Sequence, residues 1–549
     1  MKFLVISILA ALTISPAIDA SESDSLEKLL ARTPVYDLTV LLKPDSHQME
    51  LTGTVILPPS DKPRSVIELN LSELMKQFHA EIIEPAESAG TPEIVKGAKQ
   101  DSTEHFVRWQ LHPKRAIAAN KPVKLRFSYN GGEGTGFVFY IGPEGSFAGG
   151  SNAAWYPQWD ENSGTGIGLL KFSIPPDYKV LATGKSLGTA SEEAQGNFVF
   201  KNDVPSQFSF AAGKYTVLRR DGVVPMRAYL LHPRKNIDDY LVGSSKVLAV
   251  LSKEFGPYPY GEFAIAEVPT QQALKAGFSG ASFNGFMLSN EEFLDQPFNL
   301  AYYGHEIGHQ WWGNAVLHAE EPRGDYMLDE AMAQFGSLRV VEAVDGPAAA
   351  EEYRRTGYPD YSPTQCGYGY LRSVKAGRDH ALGNLPDDPN SHELADSKGF
   401  LVWDLLARTV GPERFSQALH DVTQKYRFRS IRWEEFLAAI QSVSKEDLSW
   451  FFSQWLERKG APDWQITWKQ EGGQVRGEIT QAAPFYRAQV QVEIVGPDGQ
   501  NSEHTLDVND AKTAFDWPAS FHVQSVVVDP HYYVLHWVPN DVFALKREN

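Results

Sequence analysis

Along the first third of the chain, apolar and polar positions alternate with the period of two expected of a half-buried strand. YDLTVLLK, MELTGTVIL, VKLRFSY, LLKFSI and FSFAAGKYTVL carry β-branched or aromatic residues in that pattern. Gly, Pro, Asn and Asp punctuate them, so the span from about Pro34 to Val217 is predicted to be all-β. The glycine-rich run Gly131–Gly150 has no GK[ST] ending and leads into no helical pattern, so it is predicted as loops and turns, not a phosphate cradle. After about Asn236 the period lengthens to that of a helix. LVGSSKVLAVLSKEF, NLAYYGHEIGHQWWG, LDEAMAQFGSLRVVEAV, KGFLVWDLLARTVG and WEEFLAAIQSVS all place apolar residues on one helical face. FAIAEVP, Phe263 to Pro269, reads as a strand within this region. Past Lys459, QVQVEIVGPDGQ and SVVVDPHYYVLHW return to strand patterns, giving an order of β, mostly α, then β.

A chain of 549 residues is too long for one core, and about three domains are expected. With 13 Trp, 22 Tyr and 30 Phe it can fill large cores, which excludes a disordered chain. The net charge of -18, without any block of Lys and Arg, argues against nucleic acid as a partner. Cys366 is the only cysteine, so an internal disulfide or an all-cysteine metal site is excluded. Lys2 followed by the apolar run Phe3–Ile14 and small Ala20 reads as a signal peptide over residues 1–20. That run is too short to span a hydrocarbon core of about 30 Å. The expectation is an exported protein, periplasmic or secreted, with no stable membrane span after signal removal. The oligomeric state is not legible.

The chemistry concentrates in GHEIGHQWWGN. His305 and His309 stand four apart, which on a helix puts both imidazoles on one face, each able to offer a nitrogen to one Zn²⁺. Glu306 can stand beside that ion without ligating it and take a proton from water. Zinc of this type needs a third protein ligand. Glu330, in GDYMLDEAMAQF, is the candidate, with Glu320, Glu321, Asp325 and Asp329 as competing carboxylates. Asp325 suits the start of the second helix, where it could support a ligating imidazole through its other nitrogen.

GHEIGHQWWGNAV followed by DYMLDEAMA resembles the zinc aminopeptidase family of aminopeptidase N and leukotriene hydrolase. AAWYPQWDEN and FGPYPYGEF are similar to further segments of that family, so the resemblance covers most of the chain. It implies a multidomain α+β protein without the large helical C-terminal domain of many members. The expected parts are an N-terminal β saddle domain over 21–235, a thermolysin-like, mostly helical catalytic domain over 236–459 and a C-terminal β-sandwich over 460–549. It also implies one zinc ion held by His305, His309 and Glu330, with Glu306 as general base, Asp325 as the partner of a ligand, and a peptide as substrate.

Three departures stand out. Twenty residues separate His309 from Glu330, two more than is usual in the family. GASFN, Gly280–Asn284, places Phe283 where the family keeps the glutamate that holds a substrate amino group, and a phenyl ring cannot accept that bond. DSKG places Asp396 where the family keeps an oxyanion-stabilising tyrosine. Tyr368, Tyr370, Arg372, His380 and His392 are candidate replacement donors, and Glu267, Glu291 and Glu292 candidate replacement anchors. The expectation is therefore a zinc metallopeptidase, aminopeptidase-like with altered anchoring. The alternative is a catalytically impaired zinc- or peptide-binding protein on the same fold. A serine hydrolase reading of GFSGA, Gly277–Ala281, carries little weight because its flanks do not read as strand, turn and helix.

Overall fold

The computed structural model describes residues 32–97, 105–159, 164–319, 323–357 and 364–539. The expected signal segment, Glu320 and Glu321 lie outside the described residues. In the first strand, β1 (Val35–Lys43), Tyr36, Leu38, Val40 and Leu42 are buried while the intervening side chains face outward, as the alternation requires. β1 pairs antiparallel with β2 (Gln48–Leu57) and, on its other side, parallel with β3 (Gly166–Ser173). These three lie at the centre of a seven-stranded sheet. The glycine-rich run is not all loop. Thr135–Gly136, Phe139–Tyr140 and Ser146–Ala148 form short strands of a separate five-stranded sheet. Two or three residues are too few to show a period in sequence.

A second mixed sheet underlies the middle of the chain. It contains β4 (Thr216–Arg220), β5 (Met226–Leu230), β6 (Phe263–Val268), β7 (Gly280–Phe283) and β8 (Phe286–Asn290), in the order β4-β5-β6-β8-β7. β4 and β5 fall within 21–235 but pair here, so the change of sheet comes before Thr216, earlier than the expected break at residue 236. Alternation identifies a strand without saying which sheet it joins. β6 is buried throughout. Phe263 and Ile265 face the helical core, whereas Ala264, Ala266 and Val268 join a second apolar cluster with Phe147 and Leu181 of the N-terminal β region.

Helices α1 (Ile237–Phe255), α2 (Leu300–Gly308), α3 (Glu330–Asp345), α4 (Pro389–Leu394) and α5 (Phe400–Val410) pack on the other face. α2 and α3 approach closely because Gly304 and Gly308 lack side chains. A Cβ on Gly304 would stand 3.0 Å from the Ser337 Cα, and one on Gly308 would stand 3.0 Å from the Ala333 Cα. The glycines preceding each histidine thus set the distance between the two helices that carry the site.

Two three-stranded sheets follow. β9 (Gln465–Glu471), β10 (Gln474–Thr480) and β13 (Lys512–Pro518) form one, and β11 (Ala488–Val495), β12 (Asn501–Val508) and β14 (Ser525–Val528) the other. Their core is continuous with that of the helices through Trp455, Tyr486, Val490, Tyr532 and Val534. The architecture is thus multidomain α+β. Among the described residues no helix is long and apolar enough to cross a membrane.

Candidate metal centre

Asn299 starts α2 by accepting a hydrogen bond from the Tyr302 backbone N–H at 2.9 Å, satisfying one of the donors a helix leaves open at its N-terminus. One helical turn separates His305 from His309, and their Nε2 atoms lie 3.0 Å apart. Glu330 opens α3 and places its Oε2 3.3 Å from His305 Nε2 and 3.6 Å from His309 Nε2. One ligand atom from each of the three residues lies within 4.8 Å of the others. The opposite ring nitrogens are both engaged. His305 Nδ1 lies 2.8 Å from Gln334 Oε1, and His309 Nδ1 lies 2.8 Å from Asp329 Oδ1. Both partners are acceptors, so each Nδ1 carries the proton and each Nε2 turns a lone pair inward. Apart from these two ring nitrogens, Glu330 Oε2 is buried without a hydrogen-bond partner among the described residues. Two imidazole nitrogens and a carboxylate oxygen converging in this way fit a single Zn²⁺.

Burial pushes the Glu306 carboxyl up from its usual value, against the pull of His305 and His309. A cavity of about 680 Å³ opens above these groups, with Phe283, Phe293, Tyr302, Glu306 and His392 among its walls. β7 runs along it as the edge strand of its sheet.

Asp325 does not support a ligand. Its Oδ1 lies 2.7 Å from His318 Nε2, and Asp329, immediately before Glu330, takes the position beside His309. Asp396 is fully buried behind the cavity wall, accepting from Gln365 Nε2 at 2.6 Å and facing His392 Nε2 at 3.1 Å, and its carboxylate lies within 4.8 Å of that of Glu330. A single π-helical turn, Ala395–Gly399, carries it. Of the candidate donors, His392 alone lines the cavity among the described residues. Its Nδ1 lies 3.5 Å from Glu330 Oε1, and Asp396 foremost, with Glu330, pushes its pKa up to about 10. Tyr370 donates to Asp379 and Tyr368 packs edge-on against Tyr532.

The candidate anchors lie elsewhere. Glu267 is fully buried against Arg234 at 2.6 Å, and Glu291 faces His232. Phe283 fills the end of the cleft, its ring passing over Gly149, where a Cβ would meet the Cζ atom at 2.3 Å. Ser279 leads into strand β7, not into the helix a nucleophile elbow requires. Cys366 is buried at a helix start, and burial pushes its thiol up to about 11.

Sequence reasoning missed Gln334 and Gln310. Gln334 lies four residues after Glu330, one turn along the same face, which was the available signal. Gln310 donates to Ser282 Oγ at 2.6 Å and to the Phe283 carbonyl at 2.8 Å, and accepts from Gly285 N–H at 3.0 Å, tying the end of the histidine helix to the β7–β8 turn. Only the folded chain brings those segments together.

Residues 299–455 match the Peptidase family M1 domain. The chain is 24% identical over 383 residues to aminopeptidase B of Rattus norvegicus, covering 64% of this chain and 56% of that protein. It is 26% identical over 163 residues to aminopeptidase N of Lactococcus lactis subsp. lactis, covering 29% of this chain and 18% of that protein. The chain spans about half the length of the rat relative. Among solved structures, the M1 zinc metallopeptidase of Deinococcus radiodurans superposes with a TM-score of 0.58 at 17% identity, covering 78% of this chain and 94% of that one. A variant of that protein is bound to the tripeptide Tyr-Ser-Ala. Legionella pneumophila aminopeptidase A superposes with a TM-score of 0.68 at 14% identity, covering 92% and 60%. The helical unit that brings His305, His309 and Glu330 together lies within the residues that match the Peptidase family M1 domain, and outside that span the chain is similar to aminopeptidases of this kind at low identity.

Proposed function

We propose that the protein is a zinc metallopeptidase, aminopeptidase-like, with altered anchoring of the substrate. The observation that carries this reading is the convergence of His305, His309 and Glu330 within 4.8 Å beside a half-buried Glu306 that lines the cavity and makes no part of the ligand set. Zinc held there would supply Lewis acidity, polarising the scissile carbonyl and acidifying a water. Glu306 takes the proton of the attacking water and returns it to the departing nitrogen, a task its raised pKa suits. An extended peptide fits against the free edge of β7. His392, steadied through Nε2 by Asp396, offers an N–H to the carbonyl oxygen as it gains charge. The His392 imidazole and the Gln365 amide engage the Asp396 carboxylate and offset its charge.

The acidic residues along the cavity among the described residues are Glu306, Asp329 and Glu330, all committed to the metal centre. With Phe283 at the cleft end, a free substrate amino group has no carboxylate of its own there, and N-terminally blocked peptides are accepted alongside free ones. Glu306→Gln retains stoichiometric zinc and loses peptide hydrolysis. Unchanged turnover in that variant would refute the assignment, and zinc-loaded wild type that cleaves nothing in a broad peptide library would establish the non-catalytic alternative. Lys2 and the apolar run after it support export to the periplasm or medium, which N-terminal sequencing of the exported protein tests.

A further inference from the structure

We infer that the hydroxyl of Tyr302 is a substrate contact, accepting the N–H of the scissile amide on the side of Glu306; this rests on the peptidase reading above. Tyr302 is 7% exposed, lines the cavity, and its hydroxyl has no hydrogen-bond partner among the described residues. A buried hydroxyl left unpaired is costly, so one on a residue of the cleft wall points to a partner that arrives with the ligand. The ring is fixed. It stacks on Phe293 with centroids 4.5 Å apart and planes within 7°, and Tyr303 packs edge-on at 5.1 Å.

The hydroxyl also has a defined place relative to the proposed base. A Cβ on Gly280 would stand 1.7 Å from it and 3.2 Å from Glu306 Oε1, so the two oxygens are at most 4.9 Å apart. Two hydrogen bonds of about 2.8 Å meeting at one atom near the tetrahedral angle span roughly 4.6 Å. The upper bound of 4.9 Å admits that span, and the proposal sets one nitrogen between the two oxygens, giving its hydrogen to Tyr302 and receiving a proton from Glu306. The same distances explain Gly280, since any side chain on that residue of β7 would occupy the place of the hydroxyl.

The test uses zinc-loaded Glu306→Gln protein, which binds without turning over. Calorimetry compares Tyr-Ser-Ala with its analogue carrying an ester in place of the first amide, an oxygen with no hydrogen to give. The amide is expected to bind roughly 3- to 10-fold more tightly than the ester, the worth of one neutral hydrogen bond, and that preference should vanish when Tyr302→Phe is added. Phenylalanine keeps the stack on Phe293, so a change in the amide-to-ester ratio reports the hydroxyl. The same ratio in both proteins, or no binding of either probe, overturns the assignment. Wild-type protein that hydrolyses no peptide overturns the peptidase reading instead, because the binding ratio is measured without turnover.

Discussion

Asp329 provides a direct measure of how the site is held together. Its carboxylate lies 2.8 Å from His309 Nδ1 and fixes both the tautomer and the angle of a ligating ring. Asp329→Ala removes a charge-assisted hydrogen bond worth about 1.5–3 kcal/mol. That corresponds to roughly a 10- to 100-fold loss of zinc affinity, the range observed when such supporting groups are removed. Asp329→Asn keeps an oxygen that can accept from Nδ1 but not the charge, and should fall between alanine and wild type. Asp325→Ala is the control, because Asp325 holds His318 and not a ligand. The assay is competition for zinc against a chromophoric chelator at pH 7, with metal content and a thermal melt recorded for each variant. Unaltered affinity in Asp329→Ala, or an equal loss in Asp325→Ala, would refute the reasoning.

Two other substitutions test different parts of the molecule. His531 lies 3.0 Å from both Glu351, on the helix Pro347–Thr356, and Glu503, on β12, and these carboxylates raise its pKa despite the opposing effect of burial. A raised folded-state value means that the contribution to stability is complete below the unfolded value of about 6.5 and is lost as pH rises through the folded value. Melting temperature followed upward from pH 6 should decline less in His531→Gln than in wild type. The side chain is 38% exposed, so the difference is under about 1 kcal/mol; parallel curves would refute it. Gly149→Ala places a methyl group 2.3 Å from Phe283 Cζ and displaces that ring. It should alter the ratio of kcat/KM for free and acetylated peptides several-fold without changing zinc content.

The metal centre was legible because its signals are local. Four-residue spacing sets His305 beside His309 on any helix, and a carboxylate on the next amphipathic segment supplies the third atom. The order of strand and helix regions was legible from periodicity. The partner of His309 was not, because Asp325 and Asp329 stand one turn apart and only the backbone between α2 and α3 decides which one reaches the ring. Nor could the pairing of β4 and β5 with β6 be read, since a period of two says nothing about neighbours. Asp396 looked like a repulsive group in the cleft, but the fold buries it on a π-turn and pairs it with Gln365 and His392, a pairing that composition does not encode.

The contact between Phe283 and Gly149 gives the cleft a divided construction. The three candidate ligands come from α2, the His309 that caps it, and α3, whose spacing is set by Gly304 and Gly308. The part of the cavity wall formed by Phe283 is shared between β7 and the glycine-rich run of the N-terminal β region. Selectivity and metal loading are thus mechanically separable. A paired library at positions 149 and 283 can retune which peptide ends are admitted, while the two-helix cassette beneath continues to assemble unchanged.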